Sequence, residues 1–201
     1  MRLVDVCAIH SGYTARGRLE PAPAGGVIAI QLGDIAVNGL AAPEGLARVH
    51  LEGIADRYFV SAGDVLFRSR GDRTTALALG NEFREPALAF LPLLILRPNS
   101  NVVTPEYLAW IINQPAAQRH FDSTARGTNM RMIPRTSLDS LELDIPDIET
   151  QNKIVAIDAL AGTELELSRL AAEKRRTLTS KILAQLASRL RAETRKERSP
   201  Q

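Results

Sequence analysis

Up to about residue 100 the chain alternates short apolar runs with polar or glycine-containing breaks, and beyond residue 104 the spacing of its apolar positions lengthens. LVDVCAI at 3–9 runs into the turn signal Ser11-Gly12-Tyr13, VIAIQL at 27–32 is closed by Gly33-Asp34, and Val65 to Phe67 follows the turn Ser61-Ala62-Gly63-Asp64. Thr74 to Leu79, Ala87 to Phe90 and Leu93 to Leu96 complete the set. Runs this short, bounded by Gly, Pro and Asp, read as strands. The stretch 36–57 alternates poorly, contains Gly39, Pro43, Gly45 and Gly53, and is expected to wind over the surface. Thr104-Pro105-Glu106 supplies an N-cap and a proline at the first helical position, predicting a helix over 105–113. A second helix over 115–121, a loop rich in hydrogen-bonding groups over 123–135 and a final strand, LELDI at 141–145, follow. The fold class is α+β: short mixed or antiparallel strands with small helices, close to a small barrel or irregular sheet, then one long helix.

That helix is the simplest element to read. After Pro146 there is no proline until Pro200 and only one glycine, Gly162. Ile154, Ile157, Leu160, Leu165, Leu167, Leu170, Leu178, Ile182, Leu183, Leu186 and Leu190 recur at steps that hold them near one side. The stripe is imperfect at Gly162 and at Lys174, which predicts helix packing with a stutter instead of a regular coiled coil. A stripe on so long a helix needs a partner, and a second copy of the chain is the simplest one. Three segments are expected: a recognition domain over 1–146, a spacer and dimerisation helix over 147–195, and a disordered tail over 196–201, which lacks an apolar anchor.

Composition narrows the function. Residues 1–146 carry fourteen arginines, no lysine and fifteen acids, whereas 147–201 carry eleven basic and eight acidic groups. Arg68, Arg70 and Arg73 fall within six residues opposed by Asp72, and Arg119, Arg126, Arg131 and Arg135 are opposed by Asp122. Arginine in place of lysine favours planar, bidentate recognition, although a GC-rich genome would also raise its overall share. Cys7 is the single cysteine, so no intrachain disulfide forms, which fits a reducing cytoplasm. No signal-peptide pattern and no membrane-length apolar run is present, and a cytoplasmic location is expected. His10, His50 and His120 stand far apart, without metal-ligand spacing. No Walker, methyltransferase or nuclease motif is found, and Gly25-Gly26 precedes a strand where a phosphate loop would follow one. No catalytic residue, metal or cofactor is therefore assigned.

The chain resembles one half of the DNA-specificity subunit of type I restriction-modification systems. The resemblance is carried, in order, by LVDV with Ser11-Gly12, AGDVLFRSRGD at 62–72, Pro105-Glu106-Tyr107-Leu108 to Ile112, Ala125-Arg126-Gly127 to Ile133-Pro134, and LELDIPDIETQNKI at the junction with the long helix. It departs in having Thr150 where the family often has Glu before the junction Gln151, and in holding one recognition domain and one helix where two of each are usual. The resemblance implies double-stranded DNA as ligand, half of a bipartite target read per copy, and methyl transfer and cleavage performed by partner modification and restriction/translocase subunits.

The residues agree with a binding role. Arginine grips guanine O6 and N7, Asn and Gln grip adenine, and Ser and Thr serve bases or phosphates. The expected DNA contacts are Arg68, Ser69, Arg70, Arg73 and Thr74 in the first loop, and Arg126, Gly127, Thr128, Asn129 and Arg131 in the second. Arg68, Arg70, Arg73 and Asn129 are the candidates for base readout. The alternative is an oligomeric coiled-coil scaffold or regulatory protein whose N-terminal domain binds protein, with both arginine loops merely solvated.

Overall fold

The computed structural model describes the chain except residues 16, 18, 23, 24, 37, 38, 41, 72, 73, 126–130 and 198–201; the side chains of 36 and 189–197 are also outside the description. In order, the elements are α1 (Leu3–Val6), β1 (Cys7–Ser11), β2 (Val27–Ile30), β3 (Ile35–Ala36), β4 (Gly39–Leu40), β5 (Arg48–Val49), β6 (Phe59–Val60) and β7 (Val65–Arg68). They continue with β8 (Thr75–Ala78), β9 (Ala87–Ala89), β10 (Leu93–Pro98), α2 (Pro105–Ile112), α3 (Pro115–Thr124), α4 (Arg135–Asp139) and α5 (Ile148–Glu197). The chain divides into two units, Met1–Val155 and Ala156–Gln201.

The first unit stacks two four-stranded sheets. One is wholly antiparallel, in the order β1-β10-β7-β8. The other runs β5-β2-β9-β6, with β2 and β9 parallel. Successive side chains of a strand point to opposite faces, and the apolar runs use both. From β10, Leu94 and Leu96 pack with Val65, Phe67, Leu108, Ile112 and Phe121 beneath the helices, while Leu93 and Ile95 join Leu66, Ile28, Ile30 and Ala89 between the sheets. Ala29, Leu88 and Phe90 face outward from the second sheet and are covered by Tyr13, Tyr58 and Phe59. Burial on both faces explains why these runs are continuously apolar instead of alternating with polar residues.

Two of the short sequence signals have local structural causes. At Gly12 the chain crosses from β1 to the turn between β9 and β10, donating its N–H to Leu93 O at 2.9 Å. A Cβ there would stand 2.7 Å from the Phe90 carbonyl carbon and 2.9 Å from both Ala89 O and Leu91 N. Those neighbours are backbone and cannot swing away, so Gly12→Ala should lower stability by about 2–3 kcal/mol, read as a lower urea midpoint with an unchanged denaturant slope. In the Gly63-Asp64 pair, Gly63 takes φ +94° and the Asp64 carboxylate accepts from the Ser61 N–H at 3.0 Å, closing the turn before β7.

Three expectations change, those for the 141–145 segment, the apolar start and the 36–57 stretch. Segment 141–145 is not a ladder strand: it meets the N-terminal segment through an Arg2–Glu142 bridge, flanked by Leu3 N–H to Leu141 O at 2.8 Å and Leu143 N–H to Met1 O at 2.7 Å. The apolar start resolves into α1 and β1, and the 36–57 stretch holds β3's end, β4 and β5 as short pieces. The long helix is continuous, as its lack of proline predicts, and passes through Gly162, since one glycine costs only about 1 kcal/mol in a helix interior.

The helix starts at Asp147, whose carboxylate accepts from the Thr150 N–H (2.9 Å) and hydroxyl (2.7 Å), which holds its pKa below the usual carboxylate value. Its first two turns belong to the first unit. Ile154, expected in the dimer stripe, and Val155 are partly buried and pack against the core of that unit. In the second unit Ile157, Leu160, Leu165, Leu167, Leu170, Leu178, Ile182, Leu183 and Leu186 are 39–74% exposed. The Leu190 side chain lies outside the described residues.

Candidate nucleic-acid interface

The two arginine loops, more than fifty residues apart in sequence, are joined. β7 delivers Arg68 to the start of the first loop, and the end of the second pairs with it through an antiparallel Arg70–Met132 bridge. Gly71 N–H donates to Arg131 O at 3.0 Å and Ile133 N–H to Ser69 O at 2.8 Å. Alternation along this short ladder sorts its side chains. Ser69 (5% exposed) and Ile133 (2%) point inward, and Arg70 and Met132 (46%) point to solvent.

The other expected contacts divide by what already holds them. The Arg68 guanidinium donates to Ile35 O at 2.9 Å and Arg70 O at 3.2 Å, so its fork braces the loop. Gly71, at φ +117°, makes room for it: a Cβ there would come within 2.9 Å of Arg68 Nη2. Ser69 is buried, and its hydroxyl donates to Pro92 O. The Thr74 hydroxyl donates to Gln118 Oε1 at 2.6 Å, and Gln118 in turn donates to Ile112 O at 2.9 Å. Arg131 pairs with Asp122. Helix α3 thus supports both loops, through Gln118 on one side and Asp122 on the other, and exposes Arg119 on the turn between them. Arg73, Arg126, Gly127, Thr128 and Asn129 lie outside the described residues.

Elsewhere the chemistry is structural. Cys7 is buried, which pushes its thiol up to about 12 and leaves it protonated. His10 is held below its ordinary value by burial first and then by the charges of Arg97, Arg135 and Arg57. Asp64 lies 3.4 Å from Arg97, yet burial outweighs that ion pair and the turn hydrogen bond and raises its pKa. Among the described residues no group of three His, Cys, Asp or Glu side chains could hold a metal, and no helix is long and apolar enough to cross a membrane. A cleft of about 930 Å³ is lined by Pro21, Ile28, Pro43, Arg48 and Glu85 among others and includes neither loop.

One residue that residue chemistry alone left without a role is Gln151, fully buried (0% exposed) under the start of α5. Its Nε2 donates to Val102 O at 2.9 Å and Pro146 O at 2.8 Å, and its Oε1 accepts from the Thr104 N–H at 2.8 Å. Beside it, the Tyr107 hydroxyl donates to Asp144 O at 2.9 Å. The junction motif is therefore a lock between α2, the 144–146 segment and the first turn of the long helix.

The first unit with its emerging helix has the fold of type I restriction-modification specificity subunits. The S subunit from M. genitalium matches over 83% of this chain and 39% of its own (TM-score 0.55, 14% identity), and the HsdS subunit from Thermoanaerobacter tengcongensis over 86% and 44% (TM-score 0.58, 18% identity). A chain from a study of assembly and conformational transition of the type I R-M system matches over 86% and 40% (TM-score 0.61, 21% identity). The sequence is similar to two further specificity subunits: it is 31% identical over 114 residues to a putative type I restriction enzyme specificity subunit, MjaX, of Methanocaldococcus jannaschii, and 29% identical over 112 residues to the HindI specificity subunit of Haemophilus influenzae. These alignments cover 53% and 54% of this chain and 27% and 24% of those proteins, so the chain spans about a quarter of the length of the curated relatives it matches. No family model matches.

Proposed function

We propose that the chain is a sequence-specific DNA-binding half of a type I specificity subunit, without catalytic activity of its own. The observation that carries this reading is the joining of the two arginine loops on one ladder, with Arg70 outward and α3 behind both. Its similarity to specificity subunits in sequence and fold supports it. In this reading Arg70, Arg73, Arg126, Gly127, Thr128, Asn129 and Arg131 are the contacts to the duplex, while Arg68, Ser69 and Thr74 hold the loops in shape. Arg131 exchanges Asp122 for a phosphate on binding. One copy reads half of a bipartite target; a second copy, paired through the exposed helix stripe, reads the other half. The helix sets the gap, and modification methyltransferase and restriction/translocase subunits do the chemistry.

Binding to duplexes across a salt series tests the proposal. Affinity should fall steeply as salt rises, because each neutralised phosphate releases counterions. Arg70→Ala should relax selectivity at one base pair by about 1–3 kcal/mol and leave the others unchanged. Equal weakening on all sequences makes Arg70 a phosphate contact, and no salt-dependent retention on DNA at all supports the scaffold reading instead.

A further inference from the structure

We propose that Met132 is a specificity-determining residue, packing on the C5-methyl group of a thymine in the base pair next to the one met by Arg70. The inference rests on the DNA-binding reading above and adds to it a residue and a chemical group.

The ladder geometry carries the argument. The two hydrogen bonds, Gly71 N–H to Arg131 O and Ile133 N–H to Ser69 O, flank the Arg70–Met132 pair instead of joining it. That is the narrow, non-hydrogen-bonded kind of antiparallel pair, with Cα atoms about 4.5 Å apart and side chains at their closest. Both side chains leave the same face, because Ser69 and Ile133 on either side turn inward. A lone exposed methionine is ordinary on a protein surface. This one is paired across the ladder with Arg70, on backbone pinned from below by Ile133 in the core and by the Ser69 hydroxyl on Pro92 O.

The ligand follows from the chemistry of the groove. The major-groove edges of the four base pairs present hydrogen-bond donors and acceptors, and the thymine methyl is the one projecting apolar group among them. A thioether side chain is flexible and polarizable and makes no hydrogen bond of consequence, so among those edges it suits only that methyl. Bases along a strand are about 3.4 Å apart, close to the separation of the paired residues. In the proposed pose Arg70 and Met132 lie over neighbouring base pairs.

The test uses the full chain, purified natively with any subunits it carries. A random duplex library first yields the selected sequence, and each thymine in it is then replaced by deoxyuridine, which removes the methyl alone. At one position the replacement should weaken the wild-type protein about fourfold, the effect of leaving roughly one methyl group unburied. Met132→Ala should bind the parent duplex about fourfold more weakly and show no further loss at that position. Met132→Leu should retain the discrimination. Both variants should keep the wild-type unfolding midpoint, since the side chain is half exposed. If no deoxyuridine penalty disappears in Met132→Ala, or the selected sequence contains no thymine, the inference is overturned and Met132 acts as a sequence-tolerant wedge or not at all. If the library enriches no sequence, the DNA-reading proposal itself fails, before any Met132 variant is made.

Discussion

Gln151→Ala is expected to lower the unfolding midpoint of the first unit by roughly 10 °C. The side chain is fully buried and makes three hydrogen bonds, to Thr104 N, Val102 O and Pro146 O. Alanine leaves those three main-chain groups without partners in a space too closed for free hydration. At about 1–3 kcal/mol per unsatisfied group, moderated by local collapse, the loss is about 3–5 kcal/mol, and each kcal/mol moves the midpoint of a chain this size by about 2–4 °C. The single tryptophan makes a local reporter: Trp110 stacks on Tyr107 with ring centroids 5.4 Å apart, and Tyr107 is tied to Asp144 beside the same junction. Thermal unfolding followed by its fluorescence reads this unit without the signal of the long helix. Gln151→Glu separates charge from shape. It can still accept from Thr104, but its second oxygen faces two carbonyls, so the buried carboxyl is raised above its unfolded pKa. That variant should gain stability as pH falls and lose it as pH rises through the raised value. A midpoint unchanged in Gln151→Ala would show that the lock contributes nothing.

The second large effect concerns assembly. Leu178, Ile182 and Leu186 succeed one another at steps of four and are 59, 47 and 49% exposed. Burying a leucine or isoleucine side chain stabilises by about 1.5–3 kcal/mol, so a seam using several of them suffices for pairing at micromolar concentration. Leu178→Glu combined with Leu186→Glu should convert a dimer to a monomer by light scattering. If two half-sites are read together, affinity for a bipartite duplex should then fall by a factor of about 10² to 10⁴, to that of one half-site. Trp110 unfolding should be unchanged, because both positions lie in the second unit. A wild-type chain that is monomeric at that concentration, or that forms a stable one-to-one complex with a different half, would sink the homodimer.

The sequence was most informative where one physical signal dominated. Thr104 caps α2 as its type and the following proline suggest, its hydroxyl accepting from the Tyr107 N–H at 3.2 Å. The long helix and the strands at 27–30, 65–68, 75–78, 87–89 and 93–98 were legible from spacing and breakers. What escaped depended on partners distant in the chain. LELDI has the composition of a strand, yet only Arg2 lies opposite it to form a bridge. Arg68 and Arg70 look alike in sequence, and only the nearby Ile35 carbonyl turns one into a brace while the ladder to Met132 turns the other outward. Met132 itself belonged to a loop read for its polar residues, and its outward parity is fixed by pairing with a segment some sixty residues earlier. The Gln151 signal was present only as part of a junction pattern, since nothing in its neighbours announces burial.

Strand β8 ends its sheet, and such an edge offers unpaired main-chain groups to any passing strand. At Ala76 those groups are already taken: Asn113, just past α2, accepts the Ala76 N–H at its Oδ1 and donates its Nδ2 to the Ala76 carbonyl, both at 2.8 Å. One side-chain amide there imitates the rung of a neighbouring strand. The edge is thereby stoppered at its middle, and a second molecule cannot lengthen the sheet by laying its own backbone along β8 without first dislodging Asn113.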